Sequence, residues 1–171
     1  MHITSDVTLK GPVWAEMLDR LVGEVFELQW DVYALCVSIG IMSDGQIDSD
    51  DMVPSDYTEK APSIGRNVLI KPERKALLEF MLQAALITTK HVTLSEDKRL
   101  EYAFNDNAEI PFNQLGFLTG FANYGITKLK EALGETTDVE LLERIMSFLD
   151  DIYQTGYDPT ADLELELDDF T

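Results

Sequence analysis

Pro72-Glu73-Arg74-Lys75-Ala76-Leu77-Leu78-Glu79-Phe80-Met81-Leu82-Gln83-Ala84-Ala85-Leu86-Ile87-Thr88-Thr89 is the stretch whose reading decides the fold class. Proline suits the first turn of a helix, where its missing N–H is not needed. Ala76, Leu77, Phe80, Met81, Ala84, Ala85, Leu86 and Ile87 then cover much of the circumference of that helix. A helix apolar on most sides packs against several neighbours, so residues 72–89 are expected at the centre of a helical assembly.

Upstream, Gly11-Pro12 opens a first helix, with Trp14, Met17, Leu18, Leu21 and Val22 at the spacing of one buried face. A second helix is expected from about Leu28 to Ser38, with Trp30, Tyr33, Ala34, Val37 and Ile41 keeping the period and Gly40 as its stop. Downstream, Ser95 is placed to cap a short helix with Glu96 and Asp97 in its first turn and Leu100, Tyr102, Ala103 and Phe104 as apolar residues. Asn105-Asp106-Asn107 reads as a turn. Pro111 and Phe112 lead into a helical stretch ending at Leu133, with Leu115, Leu118, Phe121, Ala122, Ile126 and Leu129 on its buried side. Gly116, Gly120 and Gly125 cost about 1 kcal/mol each there relative to alanine. They imply close helix packing or a break near Gly125. Gly134 ends this helix, and Asp138 caps a last one with Val139, Leu142, Ile145, Met146, Leu149 and Ile152 on one face. Residues 1–10 read as an arm or edge strand, and Val68-Leu69-Ile70 as a short β-like run.

These elements predict a mainly α, compact bundle of about five to six helices with at most a small β element. One helical domain covers residues 1–157, interrupted by an acidic loop at 43–63, and an acidic C-terminal tail covers 158–171. With 45% hydrophobic residues, 171 residues suffice for a core without disulfides or metals. The single cysteine, Cys36, excludes a disulfide within the chain and points to a reducing cytoplasm. No stretch nears the ~18 apolar residues of a membrane span.

Charge is the strongest compositional signal. The chain carries 32 acidic and 13 basic side chains, net −19. Such a field repels nucleic acid and anionic membranes and attracts basic protein surfaces; direct nucleic-acid binding through phosphates is not expected. The basic residues are concentrated. Eight of them (Lys60, Arg66, Lys71, Arg74, Lys75, Lys90, Lys98, Arg99) and four acids fall within residues 60–99, net +4, which leaves net −23 for the rest. Arg74 and Lys75 occupy the first turn of the 72–89 helix, where the helix dipole disfavours cations. The strip is either paired internally with the acidic loop or tail, or forms a patch for an anion or acidic partner. The tail adds Leu163-Glu164-Leu165-Glu166-Leu167-Asp168-Asp169, whose leucines and carboxylates alternate with the period of a strand. Leu163, Glu164, Leu165, Glu166, Leu167, Asp168 and Asp169, with Arg74 and Lys75, are therefore the candidate partner-binding residues.

Catalytic and metal motifs are weak by comparison. Asp44-Gly45-Gln46-Ile47-Asp48 with Asp51 resembles half of a calcium loop, but calcium takes about six to eight oxygen ligands. The first two ligand positions hold Gly40 and Met42, so a solvated acidic turn is the better reading. Cys36 and His91 form a nucleophile pair only if the fold brings them together. Gly116-x-x-x-Gly120 lacks the lysine and preceding strand of a phosphate loop. No catalytic, metal or cofactor site is expected.

Residues 30–40, an aromatic-to-apolar helix ending in glycine, residues 78–85, and Phe121-Ala122-Asn123-Tyr124-Gly125 together resemble the small proteins associated with DNA phosphorothioation loci, the "Dnd system-associated protein 4" type, over roughly residues 25–151. The acidic loop and tail depart from that pattern. The resemblance implies an accessory component of a prokaryotic antiviral or DNA-modification locus, without a catalytic motif to carry over. Three functions follow in order of preference: a subunit docking on a larger nuclease or ATPase, an acidic DNA mimic or immunity-type inhibitor, and an enzyme without a visible motif.

Overall fold

The computed structural model describes residues 1–105, 108–135 and 140–155. Asp106, Asn107, Asp138, Val139 and the whole tail lie outside the described residues. The described chain is mainly helical: α1 (Pro12–Leu21), α2 (Gln29–Met42), α3 (Arg66–Leu69), α4 (Pro72–Thr88), α5 (Glu96–Phe104), α6 (Gln114–Leu133) and α7 (Leu141–Thr155). Two short strands, β1 (Val7–Thr8) and β2 (Ser63–Ile64), pair antiparallel with Val7 opposite Ile64 and Thr8 opposite Ser63.

The centre of the bundle is the α2–α6 pair. Gly40 does not stop α2; the helix runs on to Met42 with Gly40 buried inside it. A Cβ on Gly40 would stand 2.2 Å from the Phe121 carbonyl oxygen, and one on Gly125 would stand 2.0 Å from that of Cys36. The two backbones thus meet at these glycines, and α6 continues unbroken through Gly125. What reads as a helix terminator in one dimension is a contact surface in three.

Other elements are laid on this pair. Trp14, Met17, Leu18 and Leu21 bury the inner face of α1. Gly11, with φ 95°, turns the chain into α1 at a point where a Cβ would strike the Met52 carbonyl. Trp14 Nε1 donates to Asn123 Oδ1 at 2.8 Å, and Asn123 Nδ2 donates to Ile47 O and Ser49 Oγ, each at 3.1 Å. One buried amide on α6 therefore ties α1 and the acidic loop to the core. Asn113 caps α6, its side chain accepting from the Gly116 N–H at 3.1 Å.

Several expectations are corrected. Residues 68–70 are not β-like; Val68 and Leu69 belong to the one-turn helix α3, and β2 forms at Ser63–Ile64 instead. Helix α4 is peripheral. It buries Leu78, Met81, Leu82, Ala85 and Leu86, whereas Leu77, Phe80 and Ile87 are exposed, Phe80 at 66%. Leu100 and Phe104 of α5 also face outward. On α7 the buried residues are Leu141 and Ile145, and Leu142 and Met146 point to solvent. In each case the apolar residues outnumber those one face can bury, and packing direction decides which remain outside.

Because Gly120 meets only the Gln46 side chain, at 3.6 Å and beyond, the three helical glycines and Gly40 separate by experiment. Gly120→Ala is expected to leave stability unchanged or raise it by up to about 1 kcal/mol. Gly40→Ala and Gly125→Ala are each expected to lower it by about 2 kcal/mol or more, as overpacked cores do. Urea unfolding of the variants reads the difference.

Candidate functional site

The basic strip is distributed by the fold into structural and open positions. Arg99 is structural. Its guanidinium donates to the carbonyls of Thr89 (2.5 Å), Val92 (2.9 Å) and Leu94 (3.3 Å), closing the C-terminal end of α4. Arg66 donates through Nε to Ile3 O at 2.9 Å. Lys75 pairs with Glu79 at 3.6 Å, and Lys98 with Glu101 at 2.5 Å, both at one-turn helical spacing. The strip thus finds carbonyls and helical neighbours as partners.

Arg74 and Lys75, adjacent in sequence, are separated in role. Arg74 sits 5.7 Å above the Trp30 ring, within cation–π range, with NH1 3.5 Å from Val68 O. With Lys71 it borders a recess of about 290 Å³ walled by Trp30, Ile64 and Val68. A second recess of about 610 Å³ is bordered by Leu18, Val22, Asp19 and Lys60. Gln29 and Ser63 line both. The two form a groove along β2 with an apolar floor and Lys60, Lys71 and Arg74 around it. Lys60 and Lys71 were legible only as members of the strip; the groove that joins them comes from the β1–β2 pairing. The candidate residues Leu163, Glu164, Leu165, Glu166, Leu167, Asp168 and Asp169 lie outside the described residues.

The acidic loop has no helix or strand between Met42 and Ser63 and is largely exposed, but it is anchored to the core at Gly45, Ile47 and Met52. Met52 is buried and the Ile47 N–H donates to Gly120 O at 3.0 Å. Asp44 adopts φ 44°, a left-handed conformation that aspartate tolerates better than most residues. That turn aims its carboxylate at the end of α4, where it accepts from Thr89 Oγ1 at 2.7 Å and the Lys90 N–H at 3.2 Å. Asp48 accepts from the Asp50 N–H, and Asp50 pairs with Lys10 at 2.7 Å. These carboxylates are spent on loop geometry. Among the described residues no three His, Cys, Asp or Glu side chains are grouped to hold a metal ion.

Cys36 and His91 serve different places. Cys36 is fully buried against α6, and burial pushes its thiol well above the ordinary range, so it stays neutral. His91 lies on the surface. Its Nε2 is 2.7 Å from Asp44 O, a carbonyl that only accepts, so this nitrogen carries a proton. The ring meets Phe121 edge-on. His91 borders a recess of about 530 Å³ with Asp48 and Ser49, whose Oγ accepts from Asn123 Nδ2 at 3.1 Å.

The outer surface carries a second feature, which periodicity alone hid. Leu77, Phe80 and Ile87 lie on one outward row of α4, Leu100 and Phe104 on α5, and Leu142 and Met146 on α7, all exposed. No helix among the described residues is long and apolar enough to cross a membrane. Comparison with protein-family models, curated proteins and solved structures finds no match.

The Asp44 clamp is tested by substitution. Asp44→Asn keeps an acceptor and tolerates the left-handed turn, and is expected to fold nearly as well. Asp44→Ala strands the buried Thr89 hydroxyl and strains the backbone, with an expected loss of about 1–3 kcal/mol. Thermal unfolding compares the two.

Proposed function

We propose that this chain is a non-catalytic docking subunit that binds a larger protein effector, such as a nuclease or ATPase, in a prokaryotic antiviral or DNA-modification locus. The observation that carries this reading is the outward apolar row Leu77, Phe80 and Ile87 on α4, accompanied by Leu100 and Phe104 on α5. Single exposed apolar residues are ordinary. A row on one face of one helix, beside a second helix with the same habit, is what partner surfaces look like. Burying a phenylalanine contributes roughly 1.5–3 kcal/mol, so Phe80 and Phe104 supply anchors of the kind that dominate interfaces. The net charge of −19 favours a partner whose rim is basic and discourages self-association and nucleic acid. The cysteine buried in the core and the histidine held by a carbonyl support a non-catalytic role.

A second reading rests on the same charge. As a DNA mimic the chain would present carboxylates to a nucleic-acid channel, and binding would fall steeply with salt. The two readings separate in a pull-down of the tagged full chain from its host, washed through a salt series. The docking reading expects a partner retained at high salt in fixed ratio and lost with Phe80→Asp, a substitution at an exposed position that keeps the helical circular dichroism. A partner released at moderate salt, displaced by DNA and indifferent to Phe80→Asp overturns docking in favour of mimicry. Binding of no protein overturns both.

A further inference from the structure

The β1–β2 ladder leaves one edge of β2 open, and its register identifies which groups face outward. The Leu9 N–H donates to Pro62 O at 2.9 Å, so Leu9 and Pro62 form a hydrogen-bonded pair. Bonded and non-bonded pairs alternate along an antiparallel ladder. Val7–Ile64 is then bonded as well, while Ser63, opposite Thr8, directs its N–H and C=O away from β1. Ser63 is exposed and lines both recesses of the groove.

The charge of the groove is the inverse of the chain's. Acids outnumber bases 32 to 13 in the sequence, yet Lys60, Lys71 and Arg74 line the groove against one carboxylate among the described residues, Asp19. None of these three cations forms an ion pair among the described residues. Arg74 meets only the Trp30 ring and the Val68 carbonyl. Lys71 is the N-cap of α4 and its side chain caps nothing, so the positive end of the helix dipole adds to the same field.

We propose that the groove binds an extended acidic peptide of a partner protein, which adds to β2 as a strand. Three features select this occupant. The outward N–H and C=O of Ser63 are satisfied together by another extended backbone. The unpaired cations at the border select carboxylates. The recess of about 290 Å³ walled by Trp30, Ile64 and Val68 takes an apolar side chain. Successive side chains of a strand point to opposite faces, so a peptide alternating acidic and apolar residues meets the cations and the recess at once. A nucleic acid meets the cations but not the backbone of Ser63, and the net charge of −19 opposes it. This partner is opposite in chemistry to the basic-rimmed effector proposed above, and its seat shares no residue with the outward row of α4.

The seat is read on the isolated full chain without any effector, so its failure and that of the docking reading are distinguishable. The ¹⁵N-labelled chain is titrated with acetyl-Glu-Val-Glu-Val-Glu-amide, whose blocked ends add no charge and whose valines favour an extended backbone. The expected result is a saturable shift of the Ser63 amide and the Trp30 indole. At saturation, exchange of the Ser63 amide is expected to slow at least about tenfold. Lys60→Gln with Lys71→Gln, both at exposed positions, is expected to weaken binding at least about tenfold. Serine in place of the valines is expected to weaken it to a similar degree, and lysine in place of the glutamates to abolish it. Absence of binding overturns the proposal, as does binding that leaves Ser63 exchange unchanged, which is adhesion of an anion to the cations alone. Equal affinity of the lysine-free variant or of the serine peptide also overturns it.

Discussion

Helices α2 and α6 touch backbone to backbone, and the rest of the molecule is arranged around that contact. Gly40 faces Phe121, and Gly125 faces Cys36, at distances no Cβ allows. So close an approach lets short helices share a single core. Once α6 is set, Asn123 has a fixed position, and its three hydrogen bonds determine where Trp14, Ile47 and Ser49 go. The first part of the acidic loop is therefore tied to the core. Asp44, just past α2, meets Arg99 around Thr89 at the end of α4, and Gln46 and Ile47 then bond the backbone of α6.

That arrangement explains the unusual surface. With the centre occupied by α2 and α6, α4 is left on the outside despite being apolar on most sides. The same exclusion leaves α5 and α7 with more apolar residues than they can bury. A chain of net charge −19 tolerates such rows because mutual repulsion between copies opposes association. The charge and the apolar rows thus complement each other: one discourages wrong partners, and the other rewards a right one. The groove along β2 has the reverse character, with Lys60, Lys71 and Arg74 at its border.

The mainly α class, the helix starts at Pro12 and Pro72, the end at Gly134 and the buried row Leu115, Leu118, Phe121, Ala122, Ile126 and Leu129 were all legible in the sequence, because caps and one-faced periodicity are local properties. Gly40 was misread because the same residue serves as helix stop or helix contact, and only the neighbour decides. Val68-Leu69-Ile70 was misread because three apolar residues fit a strand as well as one helical turn. Of the candidate partner-binding residues, Arg74 lies in the groove beside Lys71, while Lys75 turns to Glu79. Their adjacency in sequence concealed a rotation of one hundred degrees about the helix axis.

By itself, the sequence determined that this is a helical, strongly acidic protein with its cations gathered in residues 60–99, because composition, caps and period are written residue by residue. Tertiary structure decided which apolar faces are spent on the core and which remain outside. It also decided that Arg99 and Asp44 are structural, and that Lys60, Lys71 and Arg74 border one groove. Those outcomes depend on which two helices occupy the centre, and that is a competition between surfaces that no single stretch of chain records.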